Sequence, residues 1–242
     1  MKRLNTPLIV SAILVVLLVV AFLVFRPKQT NQVNKTRGVL AVNTDKSVYL
    51  PGESVKFQMA SLDSTGQTLC HSNLKLDVNG IEQIIIKSSS CGDNNVTNEP
   101  DYMANLLLVK EGTYKITLIN LDDRSQISSS FIVQQARDLE IVRNSAIRIN
   151  PFKSDRYPMV LSITATKDYQ GQIKEQVPAD FKIIWQGSAK IEGTNLVWDV
   201  NLKAGETRTF SYEYQAPKKS PGFYRLGEKG EWQIISGTGK DI

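Results

Sequence analysis

From residue 38 onward the chain alternates between apolar and polar side chains. Val55, Phe57 and Met59 are interleaved with Ser54, Lys56 and Gln58. Leu74, Leu76 and Val78 alternate with Lys75 and Asp77, and Tyr114, Ile116 and Leu118 with Lys115 and Thr117. A period of two predicts strands with one buried and one wet face. Turn-forming residues separate them at Leu50-Pro51-Gly52-Glu53, Ser64-Thr65-Gly66, Val78-Asn79-Gly80 and Asp122-Asp123. The continuous runs Ile84-Ile85-Ile86 and Leu106-Leu107-Leu108 predict strands covered on both faces. Residues 134–150 form a link, and alternation at Ile141, Ile147 and Ile149 predicts extended chain there. Beyond it the period returns at Met159, Leu161, Ile163 and Ala165, then at Phe181, Ile183 and Trp185. It continues at Leu196, Trp198, Val200 and Leu202, and at Phe210, Tyr212 and Tyr214. Lys203-Ala204-Gly205-Glu206 reads as a turn, residues 216–227 as a proline-broken edge, and residues 231–235 as a closing strand. Many short strands at this spacing predict a sandwich or barrel, in two units placed at residues 38–135 and 136–242. The halves share no residue-level repeat.

The first 37 residues follow a different rule. Residues 8–25, LIVSAILVVLLVVAFLVF, carry Ser11 as their one polar side chain. As a helix they would span ~27 Å at ~1.5 Å per residue, against a hydrocarbon core of ~30 Å. Asn5 or Thr6 caps such a helix, and Pro7 is tolerated in its first turn. The bulky sequence Ala21-Phe22-Leu23-Val24-Phe25 lacks the small residues of a signal-peptidase site, so an uncleaved signal-anchor is expected over a cleaved peptide. Residues 26–37 read as a polar stalk. Lys2 and Arg3 precede the span, whereas Arg26, Lys28, Lys35 and Arg37 follow it, so the positive-inside count does not set the orientation. The character of the load does: residues 1–7 are placed in the cytoplasm and residues 38–242 outside the plasma membrane, on a single-pass anchor.

Charge sharpens this picture. The net charge of +5 comes from the membrane flanks: residues 1–37 hold six Lys/Arg and no Asp/Glu, leaving 23 basic and 24 acidic residues for the rest. Nucleic-acid binding needs clustered positive charge on a folded face, so no nucleic-acid partner is expected. The basic flanks suit lipid headgroups, making the bilayer a partner. The two cysteines, Cys70 and Cys91, fit a disulfide in an exported domain, the alternative being two buried thiols. The turn at Asn79-Gly80 predicts a hairpin from Leu74 to Lys87 whose outer ends carry the two cysteines.

Candidate chemistry is sparse. His71, the one histidine, adjoins Cys70, but no Gly-x-Ser-x-Gly elbow accompanies it, and a surface histidine beside a disulfide is the expectation. Asp93, Asn94, Asn95, Glu99 and Asp101 form an oxygen-rich loop without EF-hand spacing, of a composition that turns favour anyway. One histidine and two cysteines argue against zinc. Asp168, Glu175 and Asp180 offer carboxylates for glycoside hydrolysis with nothing to fix their separation, and surface strands carry such charges routinely. Trp185, Trp198, Tyr212, Tyr214 and Trp232 could line a sugar platform, but the phase of Trp198, Tyr212 and Tyr214 places them in a core. Phe223 and Tyr224, in a Pro/Gly segment, are the candidates for an exposed contact. No catalytic constellation, cofactor or metal site is expected.

The run Thr44-Asp45-Lys46-Ser47-Val48-Tyr49-Leu50-Pro51-Gly52-Glu53-Ser54-Val55-Lys56-Phe57, with Ser61-Leu62-Asp63, resembles an immunoglobulin-like module of the macroglobulin type. Glu111-Gly112-Thr113-Tyr114 to Phe131-Ile132-Val133 is similar to the last hairpin of bacterial Ig-like domains. Cys91-Gly92-Asp93-Asn94 lacks the acceptor glutamine of the macroglobulin thioester, so the resemblance implies the fold and not that chemistry. In the second half, Gln176-Val177-Pro178, Leu196-Val197-Trp198-Asp199-Val200, Lys203-Ala204-Gly205-Glu206-Thr207, Tyr212-Glu213-Tyr214-Gln215-Ala216-Pro217 and Trp232-Gln233-Ile234 resemble a conserved-repeat Ig-like sandwich of bacterial surface proteins. Together these imply an all-β protein: one N-terminal transmembrane helix followed by two Ig-like β-sandwich domains. The expected role is adhesion, envelope architecture or assembly through contacts with other envelope or surface proteins. The alternative is an extracytoplasmic subunit that binds a carbohydrate or peptide; an enzyme is not expected.

Overall fold

A computed structural model describes residues 38–92, 96–108, 110–154 and 156–226, and the backbone of residues 232–236. All of them fall within one compact unit. The N-terminal anchor of the sequence analysis lies outside the described residues; among these no helix is long and apolar enough to cross a membrane.

The first sandwich contains β1 (Val39–Thr44), β2 (Val48–Tyr49), β3 (Ser54–Leu62), β4 (Leu74–Val78), β5 (Ile81–Gln83), β6 (Ile86–Lys87), β7 (Tyr102–Leu107), β8 (Gly112–Asn120) and β9 (Gln126–Val133). Its two sheets run β1-β3-β7-β6 and β2-β9-β8-β4-β5. This is the strand order of an immunoglobulin-like sandwich. The period-two positions point inward: Val55, Phe57, Leu76, Ile116 and Leu118 are fully buried. Phe131 sits between Tyr49 and Tyr114, with ring centroids 5.4 and 5.3 Å away. Asn79 (φ 50°) and Gly80 (φ 87°) both adopt the left-handed conformation that a tight hairpin needs.

The second sandwich contains β10 (Leu139–Asn144), β11 (Arg148–Ile149), β12 (Tyr157–Ala165), β13 (Tyr169–Gln176), β14 (Lys182–Trp185), β15 (Lys190–Glu192), β16 (Asn195–Leu202), β17 (Thr207–Gln215), β18 (Gly222–Leu226) and β19 (Trp232–Ser236). A four-stranded sheet, β10-β12-β17-β14, shares one core with two three-stranded sheets, β13-β16-β15 and β11-β19-β18. Met159, Leu161, Ile163, Trp198, Tyr212 and Tyr214 all point into that core.

A shared topology appears that the residues conceal. In each sandwich the first strand pairs antiparallel in one sheet, then the chain crosses over. A two-residue strand pairs parallel to the last strand: Val48-Tyr49 with Ile132-Val133, and Arg148-Ile149 with Ile235-Ser236. An asparagine stands at or next to the end of the first strand (Asn43, Asn144) and a proline follows the crossover (Pro51, Pro151).

Two expectations need correcting. The isoleucine run is not covered on both faces: Ile84 is 85% exposed and Ile86 55%, as is 63% of Leu107. Ile85 packs on the core, but β6 pairs with only two residues of β7, so this side of the sandwich has an open edge. The hairpin also ends early. β4 pairs with β5 over Leu76–Val78, after which the chain leaves for the other sheet, where β6 joins β7.

Candidate functional site

Side chains from both sandwiches meet at one junction. At its upper end the Pro51-Gly52 turn presents Glu53, whose carboxylate accepts the Leu50 backbone N–H at 3.0 Å. Arg137, in the link between sandwiches, donates to both Glu53 oxygens at 2.9 and 2.8 Å. Glu140 on β10 completes the network, with Lys46 at 2.7 Å and Arg137 at 3.0 Å. Burial pushes the Glu53 carboxyl up, but hydrogen bonds from Arg137 and the Leu50 amide outweigh it and hold the group below its ordinary value.

At the other end Arg148 of β11 enters a socket in the first sandwich. Its guanidinium donates to Thr68 Oγ1 at 3.1 Å and to the Asp101 carboxylate. Both side chains of that ion pair are 2% exposed. Burial pushes the Asp101 carboxyl up to about 6, against the pull of Arg148. The loop between β6 and β7 also bonds through its backbone: Thr97 N–H to Arg148 C=O at 3.1 Å, and Thr97 C=O from Ile147 and Arg148 N–H at 2.8 and 3.1 Å. Cys70 and Cys91 form a disulfide with Cα atoms 5.8 Å apart. It does not close the base of one hairpin. It ties the segment after β3 to the segment after β6, because the chain changes sheets between them.

Between these ends the outer faces of β1 and β3 are covered. Ala41, Ala60 and Leu62 are buried there, packed with Val39 and with Phe223 of β18. Phe223 thus meets the chain's own first sandwich. Tyr224 turns to its own core, edge-on to Phe181 with centroids 4.9 Å apart. An open groove of about 220 Å³ runs beside the junction, lined by Asp45, Lys46, Gln58, Asn98, Val142 and Asn144 among others.

The second sandwich also buries an ion pair. The Arg143 guanidinium donates to Glu175 at 2.8–3.2 Å, and the Tyr212 hydroxyl donates to the same carboxylate at 3.2 Å. Their side chains are 4% and 0% exposed. Burial and the Glu175 charge push the Tyr212 hydroxyl well above its ordinary value.

The carboxylates considered for hydrolysis therefore have separate engagements. Glu175 is locked to Arg143, and Asp168 pairs with Lys203 at 2.7 Å. Asp180 acts on Tyr224, whose hydroxyl is raised mainly by burial. In the oxygen-rich loop Asp101 serves Arg148, and Asp93, Asn94 and Asn95 lie outside the described residues. Among the described residues no group of three or more His, Cys, Asp or Glu side chains is placed to hold a metal. His71 is exposed beside the disulfide. Trp198, Tyr212 and Tyr214 are core side chains, while Trp185 is 50% exposed; the side chain of Trp232 lies outside the described residues. Sequence reasoning missed Arg143, Arg148 and Arg137. Their isolated positions in alternating segments carry no local signal of burial or of a partner 30 to 80 residues away.

Strand order and pairing define the class: the described residues form two all-β sandwiches, the first with the Ig-like strand order. No protein-family model and no curated protein matches this sequence. Among solved structures, a Salmonella alpha-2-macroglobulin aligns at 17% identity and a TM-score of 0.29, over 83% of this chain and 14% of its own. The D0–D1 domain of intimin aligns at 10% identity and 0.30, over 82% and 96%. The Escherichia coli adhesin FdeC aligns at 10% and 0.32, over 82% and 64%.

Proposed function

We propose that this protein is a single-pass, membrane-anchored module that works outside the plasma membrane through contacts with other envelope or surface proteins, in adhesion or envelope assembly. The observation that carries this reading is the open edge of the first sandwich, with Ile81, Ile84, Ile86 and Leu107 between 55% and 85% exposed. The edge strands themselves are short and carry Glu82 and Lys87, which blunt strand addition, so the contact runs through these exposed apolar side chains. The apolar run of residues 8–25 supplies the anchor in this reading, and the second sandwich belongs with conserved-repeat Ig-like surface domains. Catalysis has no part in it.

A photo-crosslinking amino acid at position 84 of the full chain, expressed in its own cells, should give a discrete adduct with a second envelope protein. The same probe at the exposed Lys174, on the second sandwich, should not. Absence of any adduct at 84 and 107 in a correctly placed protein would remove the contact reading. Protease added to intact cells should strip residues 38–242; protection that persists after the outer surface is opened would reverse the orientation.

The second reading, binding of a carbohydrate or peptide, is favoured by the groove of about 220 Å³ with its amides of Gln58, Asn98 and Asn144. Chemical shifts confined to those three side chains on adding soluble glycans or peptides would support it.

A further inference from the structure

The disulfide lies outside both hydrophobic cores, which contain no cysteine. Cys70 lies two residues after Thr68, and Cys91 opens the segment that continues to Thr97 and Asp101. Those three residues are the walls of the Arg148 socket. Thr68 comes from one side of the bridge, and Thr97 and Asp101 from the other. Besides the bridge, the two walls are joined by the Tyr102 hydroxyl, which donates to Leu69 C=O at 2.5 Å and accepts the Ser72 N–H at 3.1 Å, and behind them by the pairing of β3 with β7 at Met59 and Tyr102. The bridge is within reach of solvent, since both cysteines are half-buried.

We infer that Cys70–Cys91 is a redox latch on the junction between the sandwiches. Oxidised, it holds the two walls around Arg148 and keeps the second sandwich seated on the outer face of β1 and β3. A dithiol reductant opens it: two electrons and two protons pass to the bridge, its S–S bond breaks to two thiols, and the reductant leaves as a disulfide. Residues 96–101 then lose their tether, Arg148 loses half its socket, and the lower junction opens locally. Opening uncovers Leu62 and Phe223, an apolar surface that the oxidised protein hides.

Hydrogen exchange of the full chain in detergent, read by mass spectrometry, tests this. Dithiothreitol should speed exchange at least tenfold in peptides covering residues 96–102 and 145–150. Peptides 114–119 and 159–164, from the two cores, should stay protected. Cys70→Ser/Cys91→Ser should match the reduced protein, and Arg148→Ala should open the same two peptides with the bridge intact. Unchanged exchange at 96–102 and 145–150 on reduction would overturn the latch. Loss of protection at 114–119 in step with the junction would also overturn it, because the bridge would then be holding the sandwich itself. If Arg148→Ala left both junction peptides protected, the socket would not be the contact that the bridge controls.

Discussion

Replacing Glu175 by glutamine changes almost no volume but removes the negative charge that faces Arg143. The two side chains are 0% and 4% exposed, so water does not reach the guanidinium to compensate. Removing one partner of a buried pair typically costs about 3–5 kcal/mol. Set against a total of about 5–15 kcal/mol for a domain, that leaves the second sandwich near its unfolding threshold. Replacing both partners by aliphatic residues, Arg143→Met with Glu175→Leu, removes the buried charge altogether. What remains is the buried Tyr212 hydroxyl left without this acceptor, at about 1–3 kcal/mol. The double variant should therefore be more stable than Glu175→Gln by about 1–2 kcal/mol. All three tryptophans, Trp185, Trp198 and Trp232, lie after residue 135, so urea unfolding followed by tryptophan fluorescence reports this sandwich alone. A cost below ~1 kcal/mol for Glu175→Gln, or a double variant no more stable than the single one, would refute the assignment of a desolvated pair.

Asp101, raised to about 6 from 3.8, binds more protons folded than unfolded between those values. Its contribution is therefore complete below the ordinary carboxylate value and lost as pH rises through about 6. Compared with Asp101→Asn, the parent should lose on the order of 2–3 kcal/mol between pH 4 and pH 7 in urea titrations; parallel profiles would contradict this. Gly187 (φ +59°) has the Ser211 carbonyl oxygen 2.3 Å from where a Cβ would sit, whereas Gly80 (φ +87°) faces open space. Gly187→Ala should lower the melting temperature clearly more than Gly80→Ala, whose cost is backbone strain of about 1 kcal/mol. Ile84→Lys removes an 85% exposed side chain, so stability should hold within ~0.5 kcal/mol while co-purification of the second envelope protein falls. A large loss of stability would place Ile84 inside a contact instead.

The strands were legible wherever one face meets a core and the other meets water, as at Val55-Phe57-Met59 and Leu196-Trp198-Val200. The tight turn at Asn79-Gly80 was legible from its conformational demands. The pairing of Cys70 with Cys91 follows from there being two cysteines, but what they hold does not, because the chain changes sheets at Ile84-Ile85. Continuous apolar runs misled, since a strand at an open edge and one at a sheet centre share the same composition. The junction was illegible for a different reason. Thr68, Asp101 and Arg148 are polar residues in segments that local pattern assigns to solvent, and only the seating of one sandwich on the other buries them. Glu175 is in phase with the buried Ile173 and Val177, but its charge reads as solvent-facing, and no nearby residue in sequence announces Arg143 as its partner.

The crossover strands have a mechanical consequence. Val48-Tyr49 runs parallel to Ile132-Val133, so the crossover strand and the last strand of the first sandwich lie side by side and point the same way. Tension between a tether at the N-terminus and a load beyond residue 133 pulls these two strands past one another along their length. Their hydrogen bonds are then strained in shear and must break together, where an antiparallel pair pulled from one end would unzip bond by bond. Arg148-Ile149 against Ile235-Ser236 repeats the arrangement in the second sandwich. Each sandwich thus sets its sheared pair between the crossover strand and the last strand, behind the first antiparallel strand.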